Sequence, residues 1–439
     1  MGTAAETAMR RKTVVAASIG NFIDFFEFGL YGIFSAAIAL NFFPGEGESS
    51  LLLTFAAFGV SFVLRPLGAV VFGHFGDRMG RRGTLAVTIL GISVATFVIG
   101  ALPTANTIGL AAPILLVIAR VVQGFCTGGE FGGATAFMVE NAPEHKRALY
   151  GSWQMFTQFA ATVIATAIGT ILTATLSGAA LNDWGWRLPF LLTLPLGLLG
   201  LYLRLKVDET QEFKQEAGKR EPASPPIVVV LREHWRTVLK IVCFCIVGTT
   251  ATYMISGFWP AFLVQRAGVS QSLVFAATLI GTLALVIAVP FWAMFSDRIG
   301  RRKPFLISSS IAIAVLAVPV YYLVLAGTTA SVITGYLLLN LALSVCLGSS
   351  ATAMAEMFPT RVRYTGMSIS YSIGVSVFGG ATPLILTAVV NGTGMQLGAA
   401  FYLIATALVS LIGVLRYPET GGKSRTANTS TVKAEPQYG

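Results

Sequence analysis

Five ionisable side chains stand inside apolar stretches long enough to cross a membrane: Asp24, Glu27, Arg65, Arg120 and Glu130. Charge in hydrocarbon is costly, so each is a functional candidate by default. Their types suggest proton transfer joined to anion binding. A carboxylate can pair with a guanidinium; once protonated, it frees that guanidinium to hold a solute carboxylate through a two-pronged contact. Burial raises a carboxyl pKa and a nearby cation lowers it, so alternating exposure can switch the hold on the proton. Glu27 and Asp24 are the candidate proton carriers and Arg120 their partner. His74, His145 and His234 lie in polar segments, which excludes a histidine relay in mid-membrane. The alternative is that these charges form fixed pairs that stabilise one bundle.

Spacing groups further residues around them. At ~100° per residue, Asp24 and Glu27 lie about 60° apart on one helix, and Asn21 and Tyr31 extend the stripe. Arg120, Gln123, Thr127 and Glu130 share an arc of about 80° on another. Gln154 and Gln158 are i,i+4 neighbours on a third. Three polar stripes suit a water-filled cavity between two bundles. The candidate solute contacts are therefore Arg120, Asn21, Tyr31, Gln123, Gln154, Gln158 and Arg65. Tyr253, Trp259, Asn340 and Tyr371 join them from the second half, where no helix interior carries a charge between Lys240 and Arg416. Arg65 has a second reading as a brace for the cytoplasmic gate, and Glu130 reads as a gate or packing residue.

These residues need helices to position them. Of 439 residues, 54% are apolar and 11% charged, against about 25% charged in soluble domains. Mean hydropathy is +0.73. A span needs about 20 apolar residues, and twelve runs qualify: 13–41, 51–73, 84–103, 110–140, 148–178, 188–206, 238–264, 271–296, 304–326, 331–356, 365–391 and 395–416. The expected fold is all-α, with twelve transmembrane helices in two six-helix bundles, residues 1–206 and 238–416. A cytoplasmic linker, 207–237, joins them, and a polar tail, 417–439, reads as disordered. Among the 30 basic residues only Arg187 and Arg266 fall in the opposite loops, so both termini are placed in the cytoplasm.

The charge of +10 is spread between hydrophobic segments, which argues against nucleic-acid binding. Cys126, Cys243, Cys245 and Cys346 lie in apolar runs and suggest packing, with no disulfide or metal set. No nucleophile–base set, metal motif or G-K-[ST] phosphate loop marks an enzyme. Gly124, Gly128 and Gly132 form a G-x-x-x-G-x-x-x-G series, a mark of close helix packing.

The chain repeats itself. Asp77-Arg78-Met-Gly80-Arg81-Arg82, opened by Gly73, recurs 220 residues later as Asp297-Arg298-Ile-Gly300-Arg301-Arg302. Glu140-Asn-Ala-Pro143 and Glu356-Met-Phe-Pro359, before Arg361, are 216 apart. Two motifs at nearly one offset indicate duplication.

With these loops, Gly20-Asn21-Phe-Ile-Asp24-Phe-Phe-Glu27, Arg65-Pro66-Leu-Gly68, Arg120-Val-Val-Gln123-Gly124, Asp183-Trp-Gly-Trp186-Arg187 and Glu209-Thr-Gln-Glu-Phe213, the chain resembles the major facilitator superfamily and, within it, the metabolite:H⁺ symporter family. The resemblance implies a proton-coupled symporter in the inner (plasma) membrane, acting as a monomer on a small solute, with the proton as coupling ion and no other cofactor. It implies that the repeated loops, with Glu130, Glu140, Glu356 and Arg361, form a cytoplasmic gate, Asp77 engaging arginines and a helix N-terminus. Two internal arginines point to an organic acid. A proline/betaine-type zwitterion is the alternative, made less expected by a tail without the heptads of osmosensing members. A non-transporting nutrient receptor is the remaining rival.

Overall fold

A computed structural model describes residues 3–43, 48–210, 213, 224–393, 395 and 397–421. Among them twelve helices are long and apolar enough to cross a membrane: α1 (Val14–Ile33), α2 (Leu53–Arg78), α3 (Arg81–Ala101), α4 (Ala111–Glu140), α5 (Glu144–Thr175), α6 (Gly178–Leu205), α7 (Trp235–Phe258), α8 (Gln271–Ile299), α9 (Lys303–Leu325), α10 (Thr329–Glu356), α11 (Thr360–Val390) and α12 (Gly398–Leu415). No strand occurs among the described residues. Each helix satisfies its own backbone hydrogen bonds, which hydrocarbon requires.

The helices overlap the twelve apolar runs, though the first run is divided at Phe34, Ser35–Phe42 forming a separate short helix. The polar stretch 179–187, read from its sequence as a loop, is helical and opens α6. Ser177 Oγ accepts from Ala180 N–H at its start. Arg187 donates to the carbonyls of Gly100 and Leu102 at 2.8 and 2.6 Å, and Trp186 is fully buried against Phe42 and Phe190. Tertiary anchoring thus overrides local polarity. The linker holds a helix, Pro226–Glu233, with proline at its first position, where the missing N–H has no helical partner to lose; its residues 211–212 and 214–223 lie outside the described ones.

The chain forms two compact units. The first comprises Met1–Asn141, Phe156–Val238 and Thr360–Ala381; the second comprises Ala142–Met155, Leu239–Pro359 and Thr382–Gly439. Helices α5 and α11 are each divided, so each unit contains the start of a helix from the other sequence half.

In lipid, apolar side chains gain little by leaving a solvent that is itself apolar, so association depends on close packing. The glycine series supplies it. A Cβ on Gly124 would meet the Ser61 backbone, and one on Gly128 the Arg65 carbonyl, so α4 lies backbone to backbone on α2. In the second unit Gly348, 220 residues after Gly128, brings α10 against Val289 and Ala293 of α8 in the same way.

The assigned tail begins later than its composition suggests. Tyr417 is 1% exposed and donates to the Ala353 carbonyl, and Glu419 Oε1 accepts from Arg302 N–H at 2.7 Å. Residues 417–421 therefore pack into the second unit, held by contacts that a local reading of polarity misses. Residues 422–439, the remainder of the assigned tail, lie outside the described ones.

Candidate functional site

Helices α1 and α4 run antiparallel in the first unit, so each step of three or four along one is met by a step back along the other. The result is a ladder of polar layers. In the first, Arg120 Nη1 lies 3.2 Å from Glu27 Oε2 and donates to Gln123 Oε1 at 2.7 Å. Gln123 Nε2 donates to the same Glu27 oxygen and to Thr96 Oγ1, the latter at 2.7 Å. One layer along, Thr127 Oγ1 donates to Asp24 Oδ1 at 2.6 Å. In the third, Glu130 pairs with Arg204 of α6 and accepts from Thr88 Oγ1 at 2.6 Å. Arg204 also donates to the carbonyls of Ala16, Ala17 and Leu85. A Cβ on Gly20 would overlap both Arg204 and Glu130, so glycine makes room for that pair.

All six charged groups of the ladder and its flank are buried: Asp24, Glu27, Glu130, Arg65, Arg120 and Arg204. Arg204 is a residue that sequence reasoning missed. It stands in the last turn of its helix, where a cation ordinarily reaches water, and the α1 backbone at Ala16 and Ala17, the Leu85 carbonyl and Glu130 enclose it. The same enclosure holds Glu130, read from sequence as a gate or packing residue, inside the bundle against Arg204 and Thr88.

Arg120 spends only one nitrogen on Glu27. Its Nε and Nη2, which share one edge of the guanidinium, are buried without a hydrogen-bond partner, as is Arg65 Nε. Asn21 donates to Thr157 Oγ1 at 2.9 Å, and Tyr31 to the Thr54 carbonyl at 3.1 Å. Gln158 Oε1 is buried and unbonded, and Tyr371 stacks on Phe131 with ring centroids 3.4 Å apart.

The remaining candidates belong to the second unit. Gln154 is fully buried, Tyr253 half-buried, and Trp259 packs on Tyr336 at 5.1 Å. Asn340 Nδ2 is spent on the Tyr336 carbonyl of its own helix at 2.8 Å.

The repeated loops build one network in each unit. In the first, Asp77 accepts from the N–H groups of Tyr364 and Thr365, at 3.2 and 2.9 Å, where the helical part of α11 begins. Gly73 lies against Thr365. Arg81 reaches Asp77 at 3.5 Å, Glu140 at 3.1 Å and the Thr360 carbonyl at 2.7 Å. Glu140 also holds Arg363 at 2.8 Å and Thr210 at 2.7 Å, while Glu209 accepts from Arg82 N–H at 3.0 Å.

In the second unit Asp297 accepts from Ala148 and Leu149 N–H, both at 2.9 Å. Arg302 lies 2.9 Å from Asp297 and 3.6 Å from Glu356. Arg78, Arg298 and Arg301 are exposed, and Arg361 forms an exposed pair with Glu233 at 3.0 Å. Gly80 and Gly300 supply the positive φ of the two turns. Glu419, like Glu209, caps the N–H of the motif's last arginine. A doubled Glu-Thr, Glu209-Thr210 and Glu419-Thr420, was the available sequence signal for it.

A family model described as Sugar (and other) transporter matches residues 12–227 and 227–427. The proline/betaine transporter of Escherichia coli (strain K12) is 36% identical over 426 residues, covering 94% of this chain and 84% of that one. The chain belongs to the metabolite:H⁺ symporter family of the major facilitator superfamily. As a member of that superfamily it is a multi-pass inner-membrane transporter of small solutes. Other relatives are the glycine betaine/proline/ectoine/pipecolic acid transporter OusA of Dickeya dadantii, 35% identical over 94% of this chain and 84% of its own, and the ectoine/proline transporter ProP of Corynebacterium glutamicum, 34% identical over 97% and 88%. Among solved structures, the proton:xylose symporter XylE matches with a TM-score of 0.79 over 95% of this chain and 98% of that one. At 15% identity that likeness concerns the superfamily's fold alone.

Proposed function

We propose that this transporter is a proton-coupled symporter importing a small zwitterion of the proline/betaine type by alternating access. Charge balance carries the reading. Asp24, Glu27 and Glu130 match Arg65, Arg120 and Arg204 one for one among the buried groups around α1 and α4. A set that is neutral overall exerts no net pull on an anion, yet offers separated charges to a solute whose own charges cancel. The sequence-based preference for an organic acid rested on two internal arginines, Arg65 and Arg120. Counted with their neighbouring acids, those arginines leave no net positive charge, and the relatives are named for proline, betaine and ectoine.

Glu27 is the proton carrier in this scheme. Its protonation removes the anion from Arg120 and turns the guanidinium toward the solute carboxylate, while Asp24 is held separately by Thr127. With both termini in the cytoplasm, the Asp77 and Asp297 networks close the cytoplasmic side while solute loads from outside.

Uptake into proteoliposomes tests this. Labelled proline and glycine betaine should accumulate under an inwardly directed proton gradient and lose accumulation with a protonophore. Citrate and α-ketoglutarate should neither accumulate nor compete. Accumulation of the acids instead of the zwitterions would reverse the substrate assignment, and gradient-independent accumulation would remove the proton.

A further inference from the structure

Four rings of α1 and α2 make one continuous aromatic cluster in the first unit. Phe28 lies 4.6 Å from Phe58 and 5.1 Å from Phe62 between centroids; Tyr31 lies 5.4 Å from Phe58, and Phe58 5.6 Å from Phe62. Both mid-span arginines lie on these faces. The Arg120 guanidinium carbon is 4.3 Å from the Tyr31 centroid, 5.1 Å from Phe58 and 5.9 Å from Phe28. That of Arg65 is 4.8 Å from Phe28 and 4.9 Å from Phe62. An aromatic face attracts cations through its quadrupole, most strongly where water is excluded. Phe28 and Phe58 are half-buried, so the cluster has an accessible edge.

The unbonded Nε and Nη2 of Arg120 form a two-pronged carboxylate edge, but they carry no solvent exposure where they lie against the rings. A carboxylate reaches them only when the guanidinium leaves those faces. Its departure strips the cluster of a cation. A zwitterion repairs both losses at once, its carboxylate taking the guanidinium and its ammonium taking the rings.

We propose that Phe28, Tyr31, Phe58 and Phe62 form the ammonium subsite of the transported zwitterion, exchanged between the Arg120 guanidinium and a quaternary or secondary ammonium. This rests on the zwitterion reading above and adds where the positive end sits. Proton uptake by Glu27 loosens Arg120, the solute carboxylate draws it off the cluster, and the total charge on the rings is the same before and after. A plain carboxylate would leave the rings with Arg65 alone; a plain amine would add a third cation to a cluster that already carries Arg65 and Arg120.

Competition against labelled proline uptake in proteoliposomes tests the subsite. The competitors are glycine betaine and 3,3-dimethylbutanoate, which has the same shape with carbon in place of the charged nitrogen. Betaine should compete at roughly tenfold lower concentration, the scale of a desolvated cation–π contact. Equal potency would overturn the subsite while leaving proline symport intact. Phe58→Leu keeps apolar bulk and removes the π face; it should raise the half-inhibitory concentration of betaine several-fold, leave that of 3,3-dimethylbutanoate unchanged, and be rescued by Phe58→Tyr. An unchanged betaine value in Phe58→Leu would count against the subsite. If that variant does not fold, the wild-type competition decides alone. Failure of wild-type protein to transport proline or betaine would overturn the zwitterion reading and the subsite with it.

Discussion

Glu27 takes contacts from Arg120 and Gln123, side chains that α4 presents one turn apart. Glu27→Gln keeps the size of the group and removes its proton, so accumulation should disappear while counterflow of labelled proline persists. Normal accumulation would take Glu27 out of the carrier role. Arg120→Lys keeps the charge but loses the two-pronged edge. A charge-assisted hydrogen bond contributes about 1.5–3 kcal/mol, so the half-saturation for proline should rise roughly tenfold or more; an unchanged value would exclude carboxylate binding there. This layer was legible because Asp24, Glu27, Arg120 and Gln123 repeat at helical spacing in otherwise apolar runs. Arg204 was not, because its burial depends on the α1 backbone at Ala16 and Ala17, a tertiary fact. The aromatic cluster was hidden for another reason: Phe28, Phe58 and Phe62 look like ordinary span residues until the guanidiniums are seen on their faces.

The unit of the proposed gate is a helix end. A helix N-terminus carries unsatisfied N–H groups and a partial positive charge. Asp77, in the last turn of α2, supplies the acceptor for Tyr364 and Thr365, as Asp297 of α8 does for Ala148 and Leu149. The doubled motif disclosed the aspartates, whereas the capped helices lie in distant sequence and could be named only through family resemblance. A cap of this kind contributes about 1 kcal/mol. Asp77→Ala should therefore open the contact about fivefold more often. Thr365 is fully buried, so its exposure reports the opening. In a cysteine-free background, Thr365→Cys should react with a polar maleimide about fivefold faster when Asp77→Ala is also present. Equal rates would mean that the cap is dispensable to the closed contact.

At the scale of the molecule, the twelve spans were legible because length and hydrophobicity are local properties, and duplication was legible because its motifs kept their order. What duplication did not convey is that the copies are unequal. The 220-residue offset pairs Arg81 with Arg301, yet Arg302 is the residue that meets Asp297 and Glu356. Helix α3 starts at Arg81 itself, whereas Pro304 sits in the first turn of α9 and that helix begins at Lys303, two places later than strict repetition requires. The slip moves the arginine that faces inward and lengthens its reach. Glu140 holds Arg81 at 3.1 Å, Arg363 at 2.8 Å and Thr210 at 2.7 Å. Glu356 has Arg302 at 3.6 Å, with Arg147 also acting on its charge, and a buried oxygen without a hydrogen bond. Removing one partner of a buried pair costs roughly 3–5 kcal/mol, because the other charge is left uncompensated. Glu140→Gln removes the acceptor held by Arg81 and Arg363 at 3.1 and 2.8 Å and should cost at least that much, while Glu356→Gln gives up a looser contact at 3.6 Å with an arginine that Asp297 still holds, and should cost less. Thermal unfolding of the purified variants in one detergent measures the difference: the midpoint should fall further for Glu140→Gln. Equal falls would mean that the one-residue slip is structurally silent and that the two networks bear the same load.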